Sequence, residues 1–300
     1  MVEQVIEGKF AESLLLIGHF DHPYMCNDGL VGCLAGHEAL SRLTNKKTKL
    51  TYRMLSTVEI IGSAFYADRL AKKHRVKEGL FVASSGAKAP LIYQTSFGEN
   101  SAIDMVMKHV LKDSAPSTDF FSFRKGGLGN DEIAFDVSGV DIPCSSIMRA
   151  PFEQYHTDLD NPDSVDETKF EEVVAILLRV INVLEKNSTL IAQFTGLPCL
   201  SNPSLNLYLP PLSFSHVTDV SASKTDELVS LLPENLIESV KNKRSHFNDL
   251  MTILPIMCDG KHTILDVAEK IDLPFEVVDL YTGMWIEKKL LKKRWKNPFV

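Results

Sequence analysis

The chain has 300 residues, 44% hydrophobic and 24% charged, with a formal net charge of −7 at pH 7. This composition excludes disordered and fibrous chains and supplies one sizeable core plus a small appended module. No run approaches the roughly 18 uncharged apolar residues of a membrane span, and the opening MVEQVIEGKF lacks a basic-then-apolar leader, so a cytoplasmic chain without membrane attachment is expected.

The first element is the apolar run Ser13-Leu-Leu-Leu-Ile-Gly18, which stops at a polar, turn-rich stretch and reads as a buried strand of a parallel or mixed sheet. Apolar and small residues then recur at helical spacing from Leu30 to about Arg42. A second strand is expected over Tyr52 to Leu55, a helix over Ile61 to His74 and a third strand over Leu80 to Ser84. Strands alternating with helices of about a dozen residues mark an α/β fold, in which sites gather outside the carboxyl ends of the strands. Further along come a helix over Ser101 to Leu111, a glycine-rich loop over Lys125 to Asn130, a strand over Asp141 to Met148 and a polar loop over Gln154 to Asp163. Thr168 to Leu184 carries a wide apolar stripe and reads as a long amphipathic helix. The proline-rich stretch Gly196 to Pro211 is expected to separate the α/β body from a C-terminal module, giving domains 1–215 and 216–300. In the second, helices are expected over Asp226 to Leu250, Ile264 to Lys270 and Pro274 to Lys289, ahead of the basic tail Leu290 to Lys296. That succession resembles a winged helix.

Candidate chemistry sits in the loops after the strands. Five cysteines are scattered with no Cys-x-x-Cys pair, so neither a disulfide framework nor a thiolate zinc cluster is expected, and any metal must be held by His and carboxylate. The densest set of such donors is His19-Phe-Asp21-His22-Pro23, followed closely by Asn27-Asp28-Gly29, directly after the first strand. Neutral nitrogen with anionic oxygen suits zinc, although a loop histidine is more often a solvated or hydrogen-bonded structural residue. Glu59, between a strand and a helix, is either a general base or a helix-capping acid. Asn130-Asp131-Glu132 and Tyr155-His156-Thr157-Asp158 complete four polar loops that converge in an open α/β sheet.

The segment HFDHPYMCNDG resembles the first metal-binding motif of the zinc exopeptidases of the aminopeptidase and glutamate-carboxypeptidase type. It is most similar to aminopeptidase-like proteins that carry His-Pro, four residues and an Asp, here His22-Pro23 and Asp28 with Gly32 following. Glu59-Ile-Ile-Gly62-Ser63, Arg124, Asn130-Asp131-Glu132, Gly139 to Pro143, Arg149 and Tyr155-His156-Thr157 with Asp160 match later blocks in the same order, and Asp259 to Ala268 is similar to the winged-helix module that closes these proteins. The resemblance implies an α/β fold with a mixed central sheet flanked by helices, plus a small C-terminal winged helix. It also implies hydrolysis of a peptide or amide bond of a small peptide-like substrate by a metal-activated water. His22, Asp28 and His156 are the implied metal ligands, with His19 and Asp21 as alternates. Glu59, Asp131 and Glu132 are the implied catalytic acids, and Arg124, Arg149 and Tyr155 the implied substrate contacts.

Two departures bear on the metal. Val58 stands where the wider superfamily has a second glutamate, and Val82-Ala-Ser84-Ser85-Gly86 lacks the usual Asp, so one zinc ion rather than two is expected. A shorter N-terminal region than in the related proteins makes a homo-oligomer covering an exposed sheet edge a reasonable expectation. Two other functions compete: a degenerate hydrolase fold acting as a binding scaffold, and a DNA-binding winged helix. The weak basic excess after residue 237 argues against nucleic acid.

Overall fold

In the computed structural model, which describes residues 1–125, 130–209, 224–241, 243 and 245–299, the run beginning at Ser13 is a strand buried at every position. Continuous apolar character is what a strand covered on both faces requires. Strands β1 (Val2–Ile6), β2 (Ser13–His19), β3 (Thr51–Thr57), β4 (Val76–Ala83), β5 (Leu91–Gln94), β6 (Asp119–Phe121) and β7 (Cys144–Arg149) form one mixed sheet in the order β1-β3-β2-β4-β7-β5-β6. β3, β2, β4 and β7 run parallel, while β1 pairs antiparallel with β3 and β5 antiparallel with β7. The expected mixed α/β architecture is therefore present, with its sites at the carboxyl ends of the central parallel strands.

Helices α1 (Gly32–Ser41), α2 (Ile61–Tyr66, prolonged by a π-helical turn Ala67–Ala71), α3 (Ala102–Ser114) and α4 (Glu167–Lys186) accompany the sheet. Gly32 opens α1 where a Cβ would stand 2.2 Å from the Val82 carbonyl oxygen, so only glycine lets the helix approach β4 this closely. Ser101 and Asp104 form a reciprocal capping box at the start of α3. The stripe of α4 buries Val173, Val174, Ile176, Leu177, Val180 and Ile181. Each such side chain contributes about 1.5–3 kcal/mol by leaving water.

The chain divides into two compact units, Met1–Glu185 and Lys186–Asn297. This moves the boundary expected at 215/216, because β8 (Ser188–Ala192) is the middle strand of a second, antiparallel sheet of order β10-β8-β9, with β9 (Asp259–Thr263) and β10 (Leu291–Trp295). The basic tail is thus largely strand. The single helix expected over 226–250 is three helices, α5 (Lys224–Ser230), α6 (Glu234–Lys241) and α7 (His246–Met257); the first break falls at Pro233, which lacks an N–H and disfavours helical backbone at the residue before it. Helices α8 (Ile264–Ile271) and α9 (Phe275–Glu287) lie where expected. The strand expected from Asp141 begins only after Pro143, at Cys144. Positions 126–129 of the glycine-rich loop and 210–211 of the proline-rich stretch lie outside the described residues. Among the described residues no helix is long and apolar enough to cross a membrane, and all five cysteines are free.

Candidate metal centre

His19 is the last residue of β2 and 1% exposed. The chain then turns through His22 and a π-helical turn, Asn27–Val31, that delivers Asp28 back against it. Gly29 makes this return possible, since a Cβ there would stand 2.5 Å from the His19 ring. The Asp28 carboxylate is the meeting point. His19 Nε2 lies 3.2 Å and His22 Nδ1 3.8 Å from Oδ1, and His156 Nε2, brought by the loop after β7, lies 3.0 Å from Oδ2. Glu59, just past β3, reaches His22 Nε2 at 3.4 Å. Asn130 Nδ2 donates to its other oxygen at 2.5 Å.

This arrangement fits a divalent cation. His19, His22 and Asp28 each offer one donor atom, and the three lie within 4.8 Å of one another. Among the described residues, buried His22 Nδ1 has no hydrogen-bond partner and buried Asp28 Oδ2 accepts no hydrogen bond. A buried imidazole nitrogen without a hydrogen bond is costly unless something else engages it, and Asp28 Oδ2 has only the ion-pair contact with His156. Mixed imidazole and carboxylate ligation is what zinc accepts. His19 also has the partner that orients a ligating imidazole, for its Nδ1 lies 2.8 Å from Asp131 Oδ2. Asp131 is itself fully enclosed and accepts from Ile60 N at 3.0 Å and from Ser63 Oγ.

Charge is set by this geometry. Burial alone would lower the His19 pKa, but the hydrogen bonds and charges of Asp131 and then Asp28 more than reverse it, pushing it up to about 10. Burial works the other way on Asp28, yet the hydrogen bond from His19 and the charges of His22, His19 and His156 hold its carboxyl below the usual range. Cys33, whose Sγ donates to the His19 carbonyl, is pushed up to about 11 by burial and is therefore a neutral wall residue.

His22, Asp28 and His156 do converge, and His19 stands beside His22 around the same carboxylate rather than in its stead. Asp21 does not face the centre as a donor; its Oδ1 accepts from Glu59 N at 2.9 Å and so braces that residue. Glu59 does not cap α2, whose N-cap Ile60 has no side-chain capping bond. Glu132 is 0% exposed and accepts from Asn130 N at 2.7 Å and Gln94 Nε2 at 3.0 Å, with burial raising its carboxyl pKa. Arg149 Nη2 meets Glu172 at 2.6 Å and Nη1 the Ala89 carbonyl at 2.9 Å, while Arg124 Nη1 lies 3.9 Å from Glu132. Tyr155 stacks on His156 with ring centroids 3.9 Å apart. Beside Asp28 opens a cavity of about 270 Å³ walled by Phe81, Ala83, Met148, Pro151, Phe152 and Tyr155. The supporting partners Ser63 and Asn130 carried no signal in the sequence beyond their place in the Glu59–Ser63 and Asn130–Glu132 blocks, and Gln94, at the end of β5, carried none.

The mixed central sheet flanked by helices is like that of zinc aminopeptidases. BSAP, a zinc aminopeptidase from Bacillus subtilis, superposes with a TM-score of 0.52 at 16% identity, over 60% of this chain and 48% of that one. A Clostridium acetobutylicum crystal structure named as that of a candidate peptidase superposes with a TM-score of 0.72 at 24% identity, over 97% of this chain and 60% of that one. Residues 1–187 match the family model of a domain of unknown function, DUF4910, and the chain belongs to that family. A Clostridium acetobutylicum relative, whose name pairs polysaccharide biosynthesis with an aminopeptidase-like domain, is 32% identical over 194 residues, 62% of this chain and 43% of the relative. The chain thus spans less than two thirds of both clostridial proteins.

Proposed function

We propose that the unit Met1–Glu185 is a metal-dependent hydrolase of peptide or amide bonds, of aminopeptidase type, using one zinc ion held by His19, His22 and Asp28 with His156 alongside. The observation that carries this reading is the convergence of three imidazoles on the Asp28 carboxylate. A zinc ion bound there supplies Lewis-acid polarisation of the scissile carbonyl and a water of lowered pKa. Glu59 is the proton carrier. Its side chain keeps 33% exposure and is fixed by Asn130 and His22, so it takes a proton from the attacking water and returns it to the leaving amine. Asp131 and Glu132, both enclosed, position His19 and Asn130 rather than react.

The cavity beside Asp28 suits a neutral, apolar side chain, since its wall is mainly aliphatic and aromatic. Arg149 lines this cavity, but its terminal nitrogens pair with the Ala89 carbonyl and Glu172, which speaks for a structural role more than for anchoring a substrate carboxylate. The acidic surroundings of Asp28 and Glu59 favour a substrate amine instead. The unit Lys186–Asn297, with helices α7, α8 and α9 and the strands β9 and β10, is read as a winged-helix-type module without a nucleic-acid role.

Metal analysis and turnover of the purified full chain test the reading. Stoichiometric zinc with cleavage of aminoacyl amides is the expected result. A wild type and a His156→Ala variant that are both free of zinc overturn the ligand set. Stoichiometric zinc with no turnover on aminoacyl and acyl-amino-acid panels favours the scaffold reading.

A further inference from the structure

Beyond the ligands themselves, Asp160 ties together the two loops that carry them. It is 0% exposed. Its backbone carbonyl accepts from Cys26 N at 2.8 Å, its Oδ1 from Asn27 N at 2.9 Å, and its Oδ2 from Asp28 N at 2.9 Å. Three successive amides of one loop are thus held by a single residue of another. The side chains extend the same seam: Asn27 Nδ2 donates to Asp160 Oδ1 at 3.2 Å and to Ser164 Oγ at 3.0 Å, and Ser164 Oγ lies 3.2 Å from Asp160 Oδ1. Both Asp160 oxygens are occupied by these donors, so the residue is not itself a ligand in this arrangement.

The position of this seam gives it a consequence. Asp28, whose amide it holds, is the residue on which the three imidazoles meet, and His156 lies four positions before Asp160 in the same loop. His156 is bound to the rest of the centre by its contact with Asp28 Oδ2 alone among the polar contacts described, and its side chain is 53% exposed. An exposed loop histidine keeps one position only if its loop is pinned nearby. We infer that Asp160 is a positioning residue whose carboxylate clasps the Asn27-Asp28 backbone and thereby holds His156 against Asp28, setting the metal affinity of the centre. This rests on the metal-centre reading above.

The test is zinc affinity of the full chain, measured by competition with a chromophoric chelator, together with the visible absorption of the Co²⁺-substituted protein. Asp160→Asn replaces an acceptor with an amide that opposes a backbone N–H, and its zinc affinity is expected to fall about 10- to 100-fold, as for lost outer partners of metal ligands. Its Co²⁺ spectrum shifts, because His156 no longer stands in place. Asp158→Asn removes the same charge from the same loop without touching the clasp, and its affinity stays within about twofold of wild type. If Asp160→Asn does not fold by circular dichroism, Ser164→Ala decides, with an expected loss of roughly threefold because the seam loses the hydroxyl that meets Asn27 and Asp160. Wild-type affinity and an unchanged Co²⁺ spectrum in Asp160→Asn, or in Ser164→Ala where that variant decides, overturn the clasp while leaving the metal centre standing. An equal loss in Asp158→Asn overturns it too, by showing a charge effect. A wild type that binds no zinc removes the metal-centre reading and this inference with it.

Discussion

Asp104, in the first turn of α3, and Glu78, on β4, are buried carboxylates like Asp28, yet they are partnered in the opposite way. Asp104 Oδ1 accepts from Tyr93 OH at 2.8 Å and Ser96 N at 3.0 Å, and its Oδ2 from Ser101 N at 3.2 Å and Ser101 Oγ at 2.8 Å. Glu78 accepts from Ala102 N at 2.9 Å and Ile103 N at 2.6 Å, both at the helix N-terminus. The partners of these carboxylates are neutral hydroxyls and backbone amides. Asp28 is surrounded instead by three imidazoles, and the Nδ1 of one of them, His22, has no hydrogen-bond partner among the described residues. The contrast teaches that burial of a carboxylate alone says little. The chemistry of its partners separates a carboxylate that fastens a helix from one prepared for a cation.

Four experiments press on this contrast. The largest effect is expected from Glu59→Gln, which keeps the shape of the side chain and removes the proton acceptor. Turnover should fall about 10²- to 10⁴-fold while zinc content stays at the wild-type level; steady-state kinetics on an aminoacyl amide with parallel metal analysis reads both, and undiminished turnover removes the base role. Next comes Asp131→Asn, which takes the charged partner from His19 Nδ1. Its zinc affinity should drop about 10- to 100-fold in a chelator competition, and no change would show that His19 needs no such orientation.

Tyr93→Phe probes the other cluster. It removes one of the donors to Asp104 and should cost about 1 kcal/mol in a denaturant titration while leaving zinc affinity untouched. A change in zinc affinity would mean that the two clusters are coupled. The smallest effect concerns pH. Burial pushes the Glu78 carboxyl up to about 7 from an ordinary value of 4.5, against the pull of its two amide donors. A folded-state pKa above the unfolded one means that this group's contribution is full below pH 4.5 and is lost as pH rises towards 7. Stability of wild type relative to Glu78→Gln should therefore decline over that window and level off above it. A difference independent of pH, in unfolding curves taken below, within and above that window, would refute the shift.

β2 and the second half of β4 were legible as continuous apolar runs, and β3 by its apolar residues on either side of Arg53. β5 and β6 are only 4 and 3 residues long, too short to show a period, and β1 is a partly exposed edge. Helix α4 announced itself by its stripe, whereas α5, α6 and α7 read as one helix because the breaks between them interrupt no long apolar pattern. For the centre, the sequence located His19, His22, Asp28, Glu59 and His156 in loops after strands. It left open whether His19 or His22 was the donor, and the structure sets both around Asp28. Arg149 read equally well as a substrate anchor, and its pairing with Glu172 was invisible because that partner lies on α4.

The sequence by itself determined where strands end and which donor types come after them, because hydrophobic runs and the turns that stop them are local properties of the chain. Only the tertiary structure decided which of those donors share a carboxylate, that Asp131 stands behind His19 and that Asp160 grips the Asn27-Asp28 backbone. His19 and Asp131 are 112 residues apart, and Asn27 and Asp160 are 133. Contacts over such separations are set by strand order and register in the sheet, which no local pattern of residues encodes.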